Sequence, residues 1–140
     1  MIINLNVNKE DAAENQDNTG DLLELQKETI EMQREYLSNL IPKMREMVTE
    51  LRSDIKEDSW EFLRMMVDGF NWILEGYNGI ASLINADKEI DSSVMNEAVR
   101  KFGVCYRGKD AQATASSLEE DIIPFLEKLQ SLLLAYEGTN

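Results

Sequence analysis

The chain contains no histidine. That removes Ser-His-Asp and Cys-His relays, most zinc sites, and the Glu-x-x-His pairs with which four-helix carboxylate proteins hold two irons. Carboxylates, one thiol and a short basic run remain. Glu24, Glu28, Glu31 and Glu35 recur every three or four residues, and Glu119, Glu120 and Asp121 cluster towards the other end. On a helix the first set shares a face that could hold a hard cation or supply an acid/base pair. Lys27 and Arg34 interleave with it, which reads instead as a solvated, charge-balanced face. Asp87-Lys-Glu89-Ile-Asp91 alternates acids as a calcium loop does. It lacks the glycine at the sixth position, and Ala98 stands where the bidentate glutamate belongs. We expect no metal, no cofactor and no enzymatic activity.

Cys105 is the single cysteine, so no intrachain disulfide can form, in keeping with a reducing cytoplasm. Arg100, Lys101 and Arg107 are near in sequence and would lower its pKa. Its neighbour Val104 on an apolar helix face points instead to a core thiol. The run from Arg100 to Lys109 is the exception to an otherwise acidic chain: Arg100, Lys101, Arg107 and Lys109 supply four positive charges with no acid among them. Such a patch suits an acidic surface, including another copy of the chain, or else balances the dipole at a helix C-terminus.

The formal charge is −13, from 14 Lys and Arg against 27 Asp and Glu. A chain this acidic repels phosphate backbones and anionic membranes, which excludes nucleic acid and membrane surface as expected partners. No apolar run approaches the about 18 residues of a membrane span, and the N-terminus lacks the pattern of a signal peptide. We expect a cytoplasmic protein.

The elements that must position these residues read as helices. At 43% hydrophobic the chain can bury a core, and proline is confined to Pro42 and Pro124. Residues 1–20 stand apart. Met1 to Val7 alternates apolar and polar like a short strand, and a polar stretch runs from Asn8 to Gly20, so this segment is read as a tail or a short strand. Residues 21–137 form one helical domain. Asp21 is read as the cap of a long first helix, whose seam of Leu37, Ile41, Met44, Val48, Leu51 and Ile55 alternates steps of four and three, as in helices packed on helices. Pro42 inside it predicts a kink or break near Leu40. After a turn at 53–58, a second and more apolar helix carries Trp60, Leu63, Phe70, Ile73, Tyr77 and, unless Asn78-Gly79 ends it, Ile84. Gly69 and Gly76 fall on one face and would let a neighbouring helix approach. A linker at 85–92, a third helix stopped by Gly108, and a fourth capped by Asp110 and ended by Gly138 complete the pattern.

Asn39 to Met47 echoes Asp121 to Leu129, two aliphatics preceding proline in each. The expected fold is all-α: a bundle of about four main helices in two antiparallel hairpins, 21–86 and 88–137, with the long helices kinked near Pro42 and Pro124. Met32, Met44, Met47, Met65, Met66 and Met95 all fall on helices, as core filling or as an adaptable binding surface.

Tyr36-Leu-Ser-Asn-Leu-Ile-Pro-Lys-Met-Arg-Glu-Met47, Trp60-Glu-Phe-Leu63, Gly69-Phe-Asn-Trp-Ile73 and Glu119-Glu-Asp-Ile-Ile-Pro124 together resemble a family of small acidic helical proteins of Gram-positive bacteria. The resemblance covers roughly residues 21–137. It implies a helical bundle and a domain of unknown function, and it carries no catalytic residues. In size, acidity and helical content the chain is also similar to flagellar and type III secretion export chaperones, a similarity of class with no shared motif.

The expected function is therefore a protein-interaction module, adaptor- or export-chaperone-like, that holds a helical partner. The candidate surfaces are the apolar seam Leu37, Ile41, Met44, Val48 and Leu51, taken as exposed, and the basic patch Arg100, Lys101, Arg107 and Lys109. The alternative is a structural homo-oligomer, such as a homodimer, joined through the first helix.

Overall fold

A computed structural model describes residues 19–138. The expected tail at 1–20, with its strand-like start, lies up to residue 18 outside the described residues. The described chain is all-helical. The elements are α1 (Thr19–Ser53), α2 (Ser59–Ile80), a single turn α3 (Ala86–Glu89), α4 (Ser92–Arg107), α5 (Ala111–Ser117), a π turn (Leu118–Ile122) and α6 (Ile123–Gly138). No described helix is long and apolar enough to cross a membrane.

α1 is the spine. Side-chain links to α2 climb one helix as they descend the other: Ser59 to Glu50, Gln33 to Ile73, Gln26 to Gly79. The buried Ser59 hydroxyl donates to the Glu50 carboxylate and accepts the Lys56 N–H at 2.7 Å, which fixes the 54–58 turn. On its other flank α1 meets the α5–α6 run through Arg52 with Glu119 at 2.8 Å and through the Arg45–Glu127 pair. Leu37, Met44 and Leu51 of α1 are at most 2% exposed and pack in one core with Leu63, Phe70 and Ile73 of α2 and Leu126, Leu129 and Leu133 of α6. Phe125 of α6 meets Phe70 and Tyr77 of α2 edge-on, at 6.4 and 5.9 Å.

Several sequence expectations change in detail. Asp21 lies in the first turn of α1 rather than at its cap, where its charge still suits the helix dipole. α1 does not break at Pro42, which is inside it. The linker contains α3, entered through Asn85 in the left-handed conformation (φ 62°). Asp91 caps α4 by accepting from the N–H groups of Ser93 and Val94, and Asp110 caps α5 through the N–H of Ala113. Gly108 is right-handed (φ −81°), and the left-handed turn after α4 falls on Lys109 (φ 54°). The two proline segments also differ locally. Pro124 follows a π turn in which the N–H of Ile123 reaches back to Leu118. A proline at that point has no N–H to give and crowds the preceding turn, so a widened turn just before it relieves the conflict.

Candidate functional site

The apolar seam is not an exposed surface. Leu37, Ile41, Met44, Val48 and Leu51 are all buried in this chain's own core, against α2 and the α5–α6 run. Its periodicity marked a helix face covered by other helices, and the covering helices belong to the same chain. Ile55, at the end of the seam, is exposed.

Exposed apolar surface lies one face over. α2 carries a second stripe, Phe62, Met65, Gly69 and Trp72, at spacings of three and four. Phe62 is 48% and Met65 56% exposed, and Trp72 is also exposed. Between this stripe and α1 runs a groove of about 520 Å³, lined by Tyr36, Leu40, Met47, Phe62, Met65 and Met66, with Asn39, Lys43, Glu46 and Glu50 also bordering it. Leu40 and Met47 are buried and form its floor. Tyr36 closes one end. Its ring lies edge-on to Trp72 at 5.5 Å, and its hydroxyl sits where a side chain at Gly69 would be. Burial, and secondarily the charge of Asp68, raise the Tyr36 pKa, so the phenol stays neutral. Gly76 makes the matching notch two turns further along α2, where the buried Gln33 amide fills the space and donates to the Ile73 carbonyl at 3.1 Å. The sequence carried a signal for this groove, a helix with two apolar stripes rather than one.

The basic run does not act as one patch. Arg100 pairs with Glu97 (Nε to Oε1, 3.2 Å), which raises the guanidinium pKa and lowers that of Glu97 through their hydrogen bond. Lys101 lies 3.8 Å from Asp121. Lys109 reaches over Trp60 of α2, Arg107 lays its guanidinium over Gly103 of its own helix, and both line a small cleft with Trp60, Glu61, Arg64 and Tyr106. Cys105 is half-buried and free. The Glu24, Glu28, Glu31 and Glu35 series is exposed along α1. Among the described residues no three acids or thiols converge as a metal site requires.

Fold and surface together define an all-α protein with an amphipathic groove and an aromatic, basic cleft. The sequence matches the family described as a domain of unknown function (DUF8042) over residues 28–132, and the chain belongs to that family. No curated protein matches the chain. No solved structure matches it either.

Proposed function

We propose that the chain is a non-enzymatic protein-interaction module, adaptor- or export-chaperone-like, that holds an amphipathic helix of a partner protein along the α1–α2 groove. One observation carries the reading: Phe62 and Met65, two large apolar side chains, are half-exposed beside a preformed groove with an aliphatic floor and a polar rim. Helix-in-groove recognition uses such a surface, with apolar anchors at helical spacing set into a trough. Methionine suits it because the thioether adapts to different anchors. In the same reading the helices form two antiparallel hairpins, bent near Pro42 and Pro124, and the protein works in the cytoplasm of a Gram-positive bacterium.

The test is site-specific photocrosslinking in the native cell. A benzophenone amino acid at position 65 should trap a partner whose crosslinked peptide is an amphipathic helix. The same group at Val94, exposed on α4, should not trap it. Adducts only with the chain's own sequence would replace this reading with the homo-oligomer, and identical adducts from both positions would overturn it.

A further inference from the structure

Of the four cations between Arg100 and Lys109, Arg100 and Lys101 have acidic partners, whereas Arg107 and Lys109 have no ion pair among the described residues. In a chain with 27 acids and 14 bases, that is unexpected by composition. Both cations border the cleft between the start of α2 and the end of α4, which measures about 260 Å³. Its third cation, Arg64, is already engaged by Glu61 at 3.0 Å and Asp68 at 3.6 Å. The cleft wall is aromatic. Trp60 and Tyr106 meet at 6.4 Å, Tyr106 stacks on the buried Phe102 at 5.8 Å, and the Lys109 ammonium lies 5.8 Å from the centre of the Trp60 ring.

The dipole at the C-terminus of α4 accounts for a cation in its last turn. It does not account for where Lys109 is placed. Lys109 takes the left-handed conformation immediately after Gly108, the residue suited to it. That choice costs backbone energy, and it presents the lysine to a ring on another helix.

We propose that this cleft docks an acidic segment of a partner protein, with Arg107 and Lys109 taking its carboxylates and Trp60 and Tyr106 carrying an adjoining apolar side chain. Arg107 offers the planar fork that matches a carboxylate, and Lys109 a point charge beside it. The volume falls below the about 300–1,000 Å³ of small-molecule sites, so the cleft accepts one or two side chains rather than a nucleotide. The charge of −13 opposes any long polyanion, whereas a short acidic segment meets chiefly the charges that line the cleft, Arg64, Arg107 and Lys109 against Glu61. Trp60 and Arg64 lie about half a turn round α2 from Phe62 and Met66, so this site is independent of the groove proposed above.

The test uses the full chain with Trp72→Phe, which leaves Trp60 as the reporter. Acetyl-Gly-Glu-Leu-Glu-Gly-amide is titrated by fluorescence and calorimetry. Saturable binding is expected, weakened about tenfold or more by Arg107→Glu with Lys109→Glu, and weakened as salt rises from about 0.05 to about 0.5 M. The same peptide with glutamine for glutamate should not bind. Lys88→Glu with Lys128→Glu makes the same change in net charge on the surface away from the cleft and should leave the affinity within about twofold. Equal loss in both double variants would reduce the effect to net charge and overturn the proposal. Inorganic phosphate that competes at equal affinity would make the cleft a free-anion site and overturn it too, as would no signal by either method.

Discussion

The Tyr36 hydroxyl occupies the notch that Gly69 leaves on α2, and a Cβ at position 69 would also stand 2.6 Å from the Tyr36 ring carbon Cζ. This pair sets how closely α1 and α2 approach at the end of the groove. Gly69→Ala should therefore destabilise the fold by about 1–3 kcal/mol, although alanine is the better helix former. Tyr36 would have to swing away and lose its edge contact with Trp72. Gly79 supplies the control, because a Cβ there meets nothing within 4 Å, so Gly79→Ala should be neutral or stabilising by up to about 1 kcal/mol. With Tyr36→Ala in the background, Gly69→Ala should stop being harmful. Additive denaturation energies across that cycle would disprove the coupling.

Pro42 lies inside α1 and its ring is exposed. It has no N–H to give the Ser38 carbonyl, and a proline inside a helix costs about 3 kcal/mol. Nothing buried depends on the ring, so Pro42→Ala should stabilise the protein, by about 1–3 kcal/mol, and raise Tm by several degrees. An unchanged Tm would show that neither the missing N–H nor the ring's crowding costs the helix stability at this position.

Leu37 and Phe62 separate folding from recognition. Leu37 is fully buried, and Leu37→Ala should cost about 2–5 kcal/mol with a lower denaturation midpoint. Phe62 is about half exposed, so Phe62→Ala should leave the midpoint nearly unchanged while weakening whatever the groove holds. A large loss of stability at position 62 would place Phe62 in the core and remove it as a docking residue.

The same contrast marks what the sequence could and could not convey. The steps of three and four from Leu37 to Leu51 located α1 and its covered face, but periodicity cannot say whether the cover is the same chain or another. The Asp110 cap and the close approach at Gly69 and Gly76 were legible because each follows from local chemistry: an acceptor ahead of free N–H groups, and missing side chains on one shared face. The π turn before Pro124, the left-handed Lys109 and the engagement of Lys101 by Asp121 were not. The Lys101 pair joins segments distant in sequence, and the two backbone features run against local preference. The groove lay between these cases. Phe62, Met65 and Trp72 form a stripe distinct from Leu63, Phe70 and Ile73, and two stripes on one helix call for two covers.

Titration should destabilise the fold at both ends of the pH range for different reasons. Burial raises the pKa of Tyr36 and Tyr77, with nearby Asp68 and Asp87 adding to it. A raised folded pKa means full stability below the ordinary tyrosine value of about 10, and loss as pH rises through the folded values. Asp91 has the opposite sign. The Ser93 hydroxyl, then the N–H groups of Ser93 and Val94, hold its pKa below the usual carboxylate range. Its contribution is present above the unfolded value of about 3.9 and disappears as pH falls through the lower folded value. Asp91→Asn keeps a neutral acceptor at the cap, so its thermal midpoint should fall less steeply than the parent's between about pH 5 and pH 2. Tyr36→Phe should likewise flatten the alkaline limb above about pH 10 and leave the acid limb alone. Parallel profiles for parent and variant at either end would show that the named group does not set that limb.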